Sequence, residues 1–435
     1  MSARAPQGPW IERLTVIGLF MLLFPGFFFY HTLLGTGTTG AFLGGYFSPI
    51  AVLFVLPLMV LYLRQIRREP HRLARSELYF GLYMLHFLLV VLVNAANGAN
   101  AAIVAGHLIG ILFLLNTFTI FKMIDFANPE FRIPAMLCLL AMSAIVFAFS
   151  VDGVFYLGAL GMAKDADSLA TYQGFSRSYL ITFLAVIAYT RSTLVRIGWY
   201  GIGAAALFLN TTRSEFVALL FAIPIIEFYF ARQKMLFVLV LLALGTLLAI
   251  NFDTLLAALP DNRILELLDL KHSSSANARH YLSLHAMRTI ANYPLLGDYA
   301  SYAPGNYAHN ILSAWVDTGL LGFAMLLAIL IAPAAQMFVA DYFAARRSGD
   351  FVLGFIFGCV TLLLLITSHN FSDMLIGATL GAYSKYRYGQ KRPRARAAAP
   401  DPGLASPSPT GPPAPRPAHA PAGRAPPDRA EGAHS

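Results

Sequence analysis

The sequence predicts an all-α fold embedded in a membrane, and three observations carry that expectation. Of its 435 residues, 57% are hydrophobic and only 12% charged, against about a quarter charged in ordinary globular domains. Apolar runs of the roughly 17–25 residues needed to cross a bilayer recur along most of the chain. The basic residues that bring the net charge to +9 gather in short segments between those runs and near the C-terminal end, where topology and anionic lipid hold them. That placement also argues against a nucleic-acid partner.

Taken in order, residues 14–30 and 50–63 read as the first two spans, joined by GTGTTGAFLGG, which carries no basic residue. The stretch before them, residues 1–13, is short and leads into a full span rather than a cleavage site, so no secretory leader is expected. Arg64, Arg67, Arg68, Arg72 and Arg75 follow the second span and mark a cytoplasmic loop, which places the N-terminus inside. The third span ends at Asn94 before the uncharged loop NAANGANAA, outside. The fourth ends at Phe121 before KMIDFANPEFR, inside. The fifth gives way near Ser150 to an external loop over residues 151–176. The sixth ends in TRSTLVR, inside, the seventh near Asn210, outside, the eighth in ARQK, inside, and the ninth near Asn251.

By parity the long segment 252–308 is external. It carries two amphipathic stretches: TLLAALPDNRILELLDL, and RHYLSLHAMRTIAN with Tyr281, Leu282, Leu284, Met287 and Ile290 at helical spacing. Helices of this kind lie on a membrane or cap a cavity. The tenth span starts near His309 and ends in DYFAARR, inside; the eleventh ends in SHNFSD, outside; the twelfth, residues 374–383, ends in SKYRYGQKRPRAR, inside. About twelve transmembrane helices with both termini cytoplasmic satisfy every basic cluster. Residues 1–388 form the transmembrane domain. Residues 389–435, rich in Pro and Ala, read as a cytoplasmic tail unable to offset its own ordering entropy. Cys138 and Cys359 both lie in apolar runs and suggest neither a zinc site nor a disulfide.

The stretch NYAHNILSAWVDTGLLGF, residues 306–323, concentrates polar groups at a membrane entry point. An ionisable group there is costly unless something uses it. His309 and Asn310 open the tenth span, Asp317 lies about two turns in, and Gly319 and Gly322 read as close helix packing. Taken alone, His309 is a cap at the interface. Arg213 stands in the tight external turn NTTRSEF, Arg279 and Arg288 on the second amphipathic stretch, and Arg177 at the outer end of the sixth span. An arginine at a span end ordinarily snorkels or pairs locally, Arg213 with Glu215 for example. Asp317 has Arg177 and His369 as possible partners, and nothing in the sequence chooses between them.

AHNILSAWVDTGLLGF resembles the signature of the O-antigen ligase and O-antigen polymerase superfamily, in which His-Asn opens a helix and Gly-x-x-Gly follows. SSSANARHYLSLHAMRTIANYPLLGDY is similar to that family's lead-in, and NTTRSEF to its Thr-Arg-Ser turn. The likeness is close over residues 209–323 and rests elsewhere on topology. It implies a GT-C-like glycosyltransferase of the bacterial inner membrane, active on the periplasmic face, moving a glycan from undecaprenyl pyrophosphate to an acceptor hydroxyl. By the resemblance His309 is the catalytic base and Arg213 and Arg279 hold the donor pyrophosphate. Read from the residues themselves, Asn310 is placed to orient His309 or a sugar hydroxyl, and Asp317, Arg177 and Arg288 are further supporting candidates. Arginine suits the part because its planar fork pairs bidentately with phosphate and stays protonated; histidine suits a base near neutral pH.

The acceptor the resemblance favours is lipid A-core, as in the ligase. A polymerase on the same carrier and a protein O-oligosaccharyltransferase share the same residues. A transporter or flippase is the reading from another class, since twelve spans suit carriers too; it would keep its polar residues near the midplane. Asp298, Asp317 and Asp373 offer carboxylates for Mg²⁺, but no DxD or Glu-x-x-His spacing accompanies them, and transfer is expected to need no metal and no cofactor. Walker and dinucleotide-binding motifs are lacking.

Overall fold

The computed structural model describes residues 9–398 apart from 44, 69–74, 165–168, 171, 253, 255–261, 263, 266–273 and 345–346. In chain order the helices are α1 (Trp10–Gly35), α2 (Phe47–Arg68), α3 (Arg75–Ala96), α4 (Ala101–Met123), α5 (Pro129–Ala148), α6 (Tyr172–Ile187), α7 (Thr193–Leu209), α8 (Arg213–Phe230), α9 (Lys234–Ile250), α10 (Ser274–Asn292), α11 (Leu312–Tyr342), α12 (Gly349–Thr367) and α13 (Met374–Ala398). Among the described residues, strand is confined to a hairpin pairing Ser150–Val151 with Val154–Phe155. Seven helices among the described residues, α1 to α5, α11 and α12, are long and apolar enough to cross a membrane, and α7 and α9 are shorter apolar helices. The protein is an all-α membrane protein.

Local chemistry starts and bends these helices. The Asn100 and Asn128 side chains accept from the backbone N–H groups of Ala102 and Glu130, and Ser348 accepts from Phe351, so each supplies a cap for an otherwise unmatched donor. Pro129 takes the first helical position of α5, where its missing N–H costs nothing. Pro25 opens a π-turn in α1, and the Tyr46 hydroxyl donates to the Leu22 carbonyl beside it at 2.8 Å.

Aromatic side chains fill the centre. Phe20, Phe24, Phe121, Phe126 and Phe131 are fully buried, and Phe20 meets Phe24 and Phe131 edge-on at 4.9 and 5.0 Å, an arrangement that ring quadrupoles favour. A second apolar cluster joins α3, α4, α11 and α13 through Phe87, Leu114, Leu326 and Ile376. Two buried ion pairs tie helices together. Arg196 of α7 grips Glu227 of α8 at 2.5 and 2.8 Å. Glu77 of α3 accepts from Lys122 of α4, from Tyr62 of α2 at 2.8 Å and from Ser384 of α13 at 2.7 Å.

α11 is broken at Gly319, whose φ of 70° lies outside the helical region. The preceding segment fills the break: Asp298 N–H donates to Val316 O at 2.8 Å, and Leu320 N–H donates to Leu295 O at 3.0 Å. The glycines expected to pack helix on helix thus act differently. Gly319 admits another stretch of backbone, where a Cβ would meet the carbonyl carbon of Leu296 at 2.8 Å, while Gly322 faces His86 of α3. α10 is the second expected amphipathic helix; most of the first, residues 255–261, 263 and 266–270, lies outside the described residues. α13 runs on to Ala398, past the tail boundary expected at residue 389. Residues 399–435 lie outside the described residues.

Candidate functional site

At the end of α8 away from Glu227, five segments converge: the start of α6, the turn between α7 and α8, the start of α10, the entrance to α11, and the loop between α12 and α13. The α7–α8 turn is tightly specified. Asn210 donates to Ser176 Oγ at 2.7 Å, Ser176 donates to Thr212 Oγ1 at 2.6 Å, and Thr212 donates to the Tyr172 carbonyl at 3.2 Å. Between them Thr211 sits at φ 59°, a left-handed conformation that a β-branched residue adopts only when its surroundings impose it. This turn delivers Arg213 as the first residue of α8. A cation at a helix N-terminus opposes the macrodipole, which favours an anion there.

Arg279 of α10 is half-buried and lies within electrostatic reach of Arg213, Tyr172, Glu215 and Tyr307. Burial first and the Arg213 charge second hold its pKa below the ordinary arginine value, and a guanidinium lowered in this way remains charged. Two like charges facing each other across separate elements are repulsive, and an anion between them relieves that repulsion.

His309 comes from the loop before α11. Its ring centroid lies 4.4 Å from that of Tyr307. Burial, then the nearby charges of Arg279 and His369, push its pKa below the ordinary histidine value, so the neutral imidazole dominates at pH 7. Burial raises the Tyr307 hydroxyl and keeps it protonated.

Beside this group stands a network that sequence reasoning reached only in pieces. Arg177 of α6 meets Asp373 at 2.8 Å and Glu215 of α8 at 3.7 Å. His369 lies 3.0 Å from Asp373 and 3.4 Å from Glu215, and Arg177 also approaches the His369 ring at 3.0 Å. Burial and Arg177 press the His369 pKa down, but Asp373 and Glu215 outweigh them and hold it above the ordinary value. Burial works against the Asp373 charge, yet Arg177, His369 and the Leu375 N–H hold its carboxyl well below the usual range. Glu215, weighed from sequence as a partner for Arg213, is thus engaged by Arg177 and His369. The signal available in SHNFSD was a His and an Asp four residues apart at a span end.

The other expected site residues are distributed differently. Asn310 does not act on His309: its amide donates to Ser283 of α10 at 2.8 Å and its Oδ1 accepts from Leu312 N–H at 3.0 Å, which fastens α10 to the start of α11. Asp317 pairs with neither Arg177 nor His369. It is fully buried, accepting from Tyr302 OH at 2.8 Å and Ala300 N–H at 3.0 Å, with His107 Nε2 at 3.9 Å. His107 and His86 were missed altogether; His107 hydrogen-bonds with Tyr299 at 3.0 Å and His86 with the Thr318 carbonyl at 3.1 Å. Their signal was an ionisable side chain inside an apolar run. Arg288 is exposed; nine residues beyond Arg279 is two and a half helical turns, the opposite face of α10.

No family model matches the chain, and no curated protein sequence matches it significantly. Among the described residues no group of three or more His, Cys, Asp or Glu side chains is arranged to hold a metal ion; the guanidinium of Arg177 stands among the carboxylates of Glu215 and Asp373 instead. What the arrangement offers is two clustered guanidiniums for an anion, a neutral imidazole beside them for a proton, and a buried ionic scaffold behind both.

Proposed function

We propose that this protein is an inverting, metal-independent membrane glycosyltransferase of the O-antigen ligase type. In this reading twelve spans form a GT-C-like body in the bacterial inner membrane, both termini are cytoplasmic, and the cluster of Arg213, Arg279 and His309 faces the periplasm. The observation that carries it is that three separate elements bring Arg213 and Arg279 within electrostatic reach of each other and set beside them a histidine whose pKa burial and the Arg279 charge lower.

The chemistry follows from those groups. The donor is a glycan on undecaprenyl pyrophosphate and the acceptor a hydroxyl of lipid A-core. The acceptor oxygen bonds to the anomeric carbon as the bond from that carbon to the pyrophosphate oxygen breaks on the opposite side. The electron pair leaves with the pyrophosphate, and the acceptor proton passes to His309. Arg213 and Arg279 stabilise the charge that develops on the departing oxygen, an effect strongest in fixed, partly desolvated geometry. Arg177, paired with Asp373 and Glu215, holds α6, α8 and the loop after α12 in register around them. No cofactor takes part.

A carrier is the competing reading, favoured by the broken helix α11 and the buried Asp317, features that secondary transporters keep near the midplane. Against it, Asp317 is already satisfied by Tyr302 and Ala300 of the adjoining segment.

The test is complementation of a deletion strain with wild type or His309→Ala, with surface lipopolysaccharide separated on a gel. A ligase is expected to leave long chains on the lipid carrier and none on lipid A-core when His309 is lost. Core bearing a single repeat unit identifies the polymerase instead. Unaltered lipopolysaccharide overturns both.

A further inference from the structure

We propose that α10 is an interfacial helix whose exposed face, with the Leu295–Leu296 tip that follows it, is embedded in the lipid of the bilayer. The inference goes beyond the transfer reaction and does not depend on it. Its starting point is the break in α11. Residues 320–342, after Gly319, rise about 35 Å at 1.5 Å per residue, enough by themselves to cross a hydrocarbon core of about 30 Å. Residues 312–318 are therefore surplus to the span and fall in the headgroup layer.

α10 packs alongside that surplus turn: Ala286 and Ile290 meet Val316, Ala308 and Leu312 in one small apolar cluster. The segment after it is then stitched into the break, with Leu295 O and Asp298 N–H bonded to Leu320 and Val316. Backbone at that depth is tolerated only when its polar groups are satisfied within the protein, and these bonds, with Gly297 N–H donating to Tyr293 O, satisfy part of the segment.

The side chains carried by this stitched backbone point outward. Leu295 is 69% and Leu296 87% exposed, at the level where Leu320 and Leu321 of α11 are themselves exposed. Surface this apolar, continuous with the exposed side of a spanning helix, is covered by acyl chains. On α10 the face turned away from α11 carries Tyr281, Leu284 and Met287, all exposed, interleaved with the exposed polar side chains of His280, His285 and Arg288. Apolar side chains that sink to the acyl boundary, beside an arginine that reaches headgroup phosphate, are the pattern of a helix lying in the interface.

The test places a single cysteine at Leu284, Leu296 or the exposed loop residue Ala303, labels it with an environment-sensitive fluorophore, and reconstitutes each variant in phospholipid vesicles. The wild-type chain, with Cys138 and Cys359 alone, gives the background. Brominated acyl chains are expected to remove most of the signal at Leu284 and Leu296 and little at Ala303, while aqueous iodide does the reverse. Quenching of Leu284 and Leu296 by iodide to the extent seen at Ala303 overturns the proposal. Shielding of both from either quencher also overturns it, in favour of a protein partner. Leu296→Trp provides a reading without labelling: emission at longer wavelength than wild type counts against lipid, a blue shift for it. None of these readouts involves glycan transfer, so their failure is separable from failure of the proposed reaction.

Discussion

His309 works, in the proposed reaction, only as the neutral imidazole, and its surroundings favour that form. Burial, Arg279 and His369 lower its pKa, so acidification through a value below the ordinary 6.5 or so protonates it and removes the base. Transfer rates measured in detergent across pH are expected to fall on the acid side with an inflection below that value and to be level from about pH 7 upward. A rate that keeps climbing well above neutrality overturns the assignment of this base. The residues of the cluster were legible unevenly, for a physical reason. His309, Arg213 and Arg279 stood out because each is an ionisable group at a span end, visible in one dimension. The pairing of Arg177 with Asp373 joins the first half of the chain to its end, and no local periodicity carries that information. Asp317 illustrates the same limit: its cost was legible, its partners Tyr302 and Ala300 were not.

At the scale of elements, the interruption of α11 depends on one glycine. Gly319→Ala forces a Cβ into a left-handed position against the Leu296 backbone. A strain of about 1–3 kcal/mol is expected from the conformation alone, with the close contact adding to it. Thermal unfolding in detergent should show a clear drop in midpoint, whereas Gly245→Ala, on α9 with open space around its Cβ position, should show none. Equal midpoints for the two variants refute the stitched break. The Gly-x-x-Gly spacing announced that something approaches closely here, but spacing alone reads as a neighbouring helix. Only the structure distinguishes that from a loop seated in the helix itself.

Across the whole molecule, the buried pair of Glu77 and Lys122 links α3 and α4 and, through Tyr62 and Ser384, α2 and α13. Lys122→Met leaves the carboxylate buried without its cation and is expected to cost about 3–5 kcal/mol, while the double change Glu77→Leu with Lys122→Met is expected to recover much of it. A single variant as stable as wild type, by thermal unfolding in detergent, refutes this role. The all-α membrane class was legible at this scale because composition and hydropathy need no tertiary information. The extent of α13 was not, since the apolar pattern ends near residue 383 and Gly389 and Pro393, both poor helix formers, stand within the stretch the helix goes on to cover.

The stitched break in α11 also bears on how the chain enters the membrane. A broken helix at the membrane boundary leaves backbone groups unmatched, and each is costly wherever water is excluded from it. The groups that match Val316 and Leu320 belong to Asp298 and Leu295, which the ribosome makes just before α11. Their loop is short and closes at small entropic cost. α11 can thus acquire its missing bonds as it is inserted, without waiting for α12 and α13 to be made.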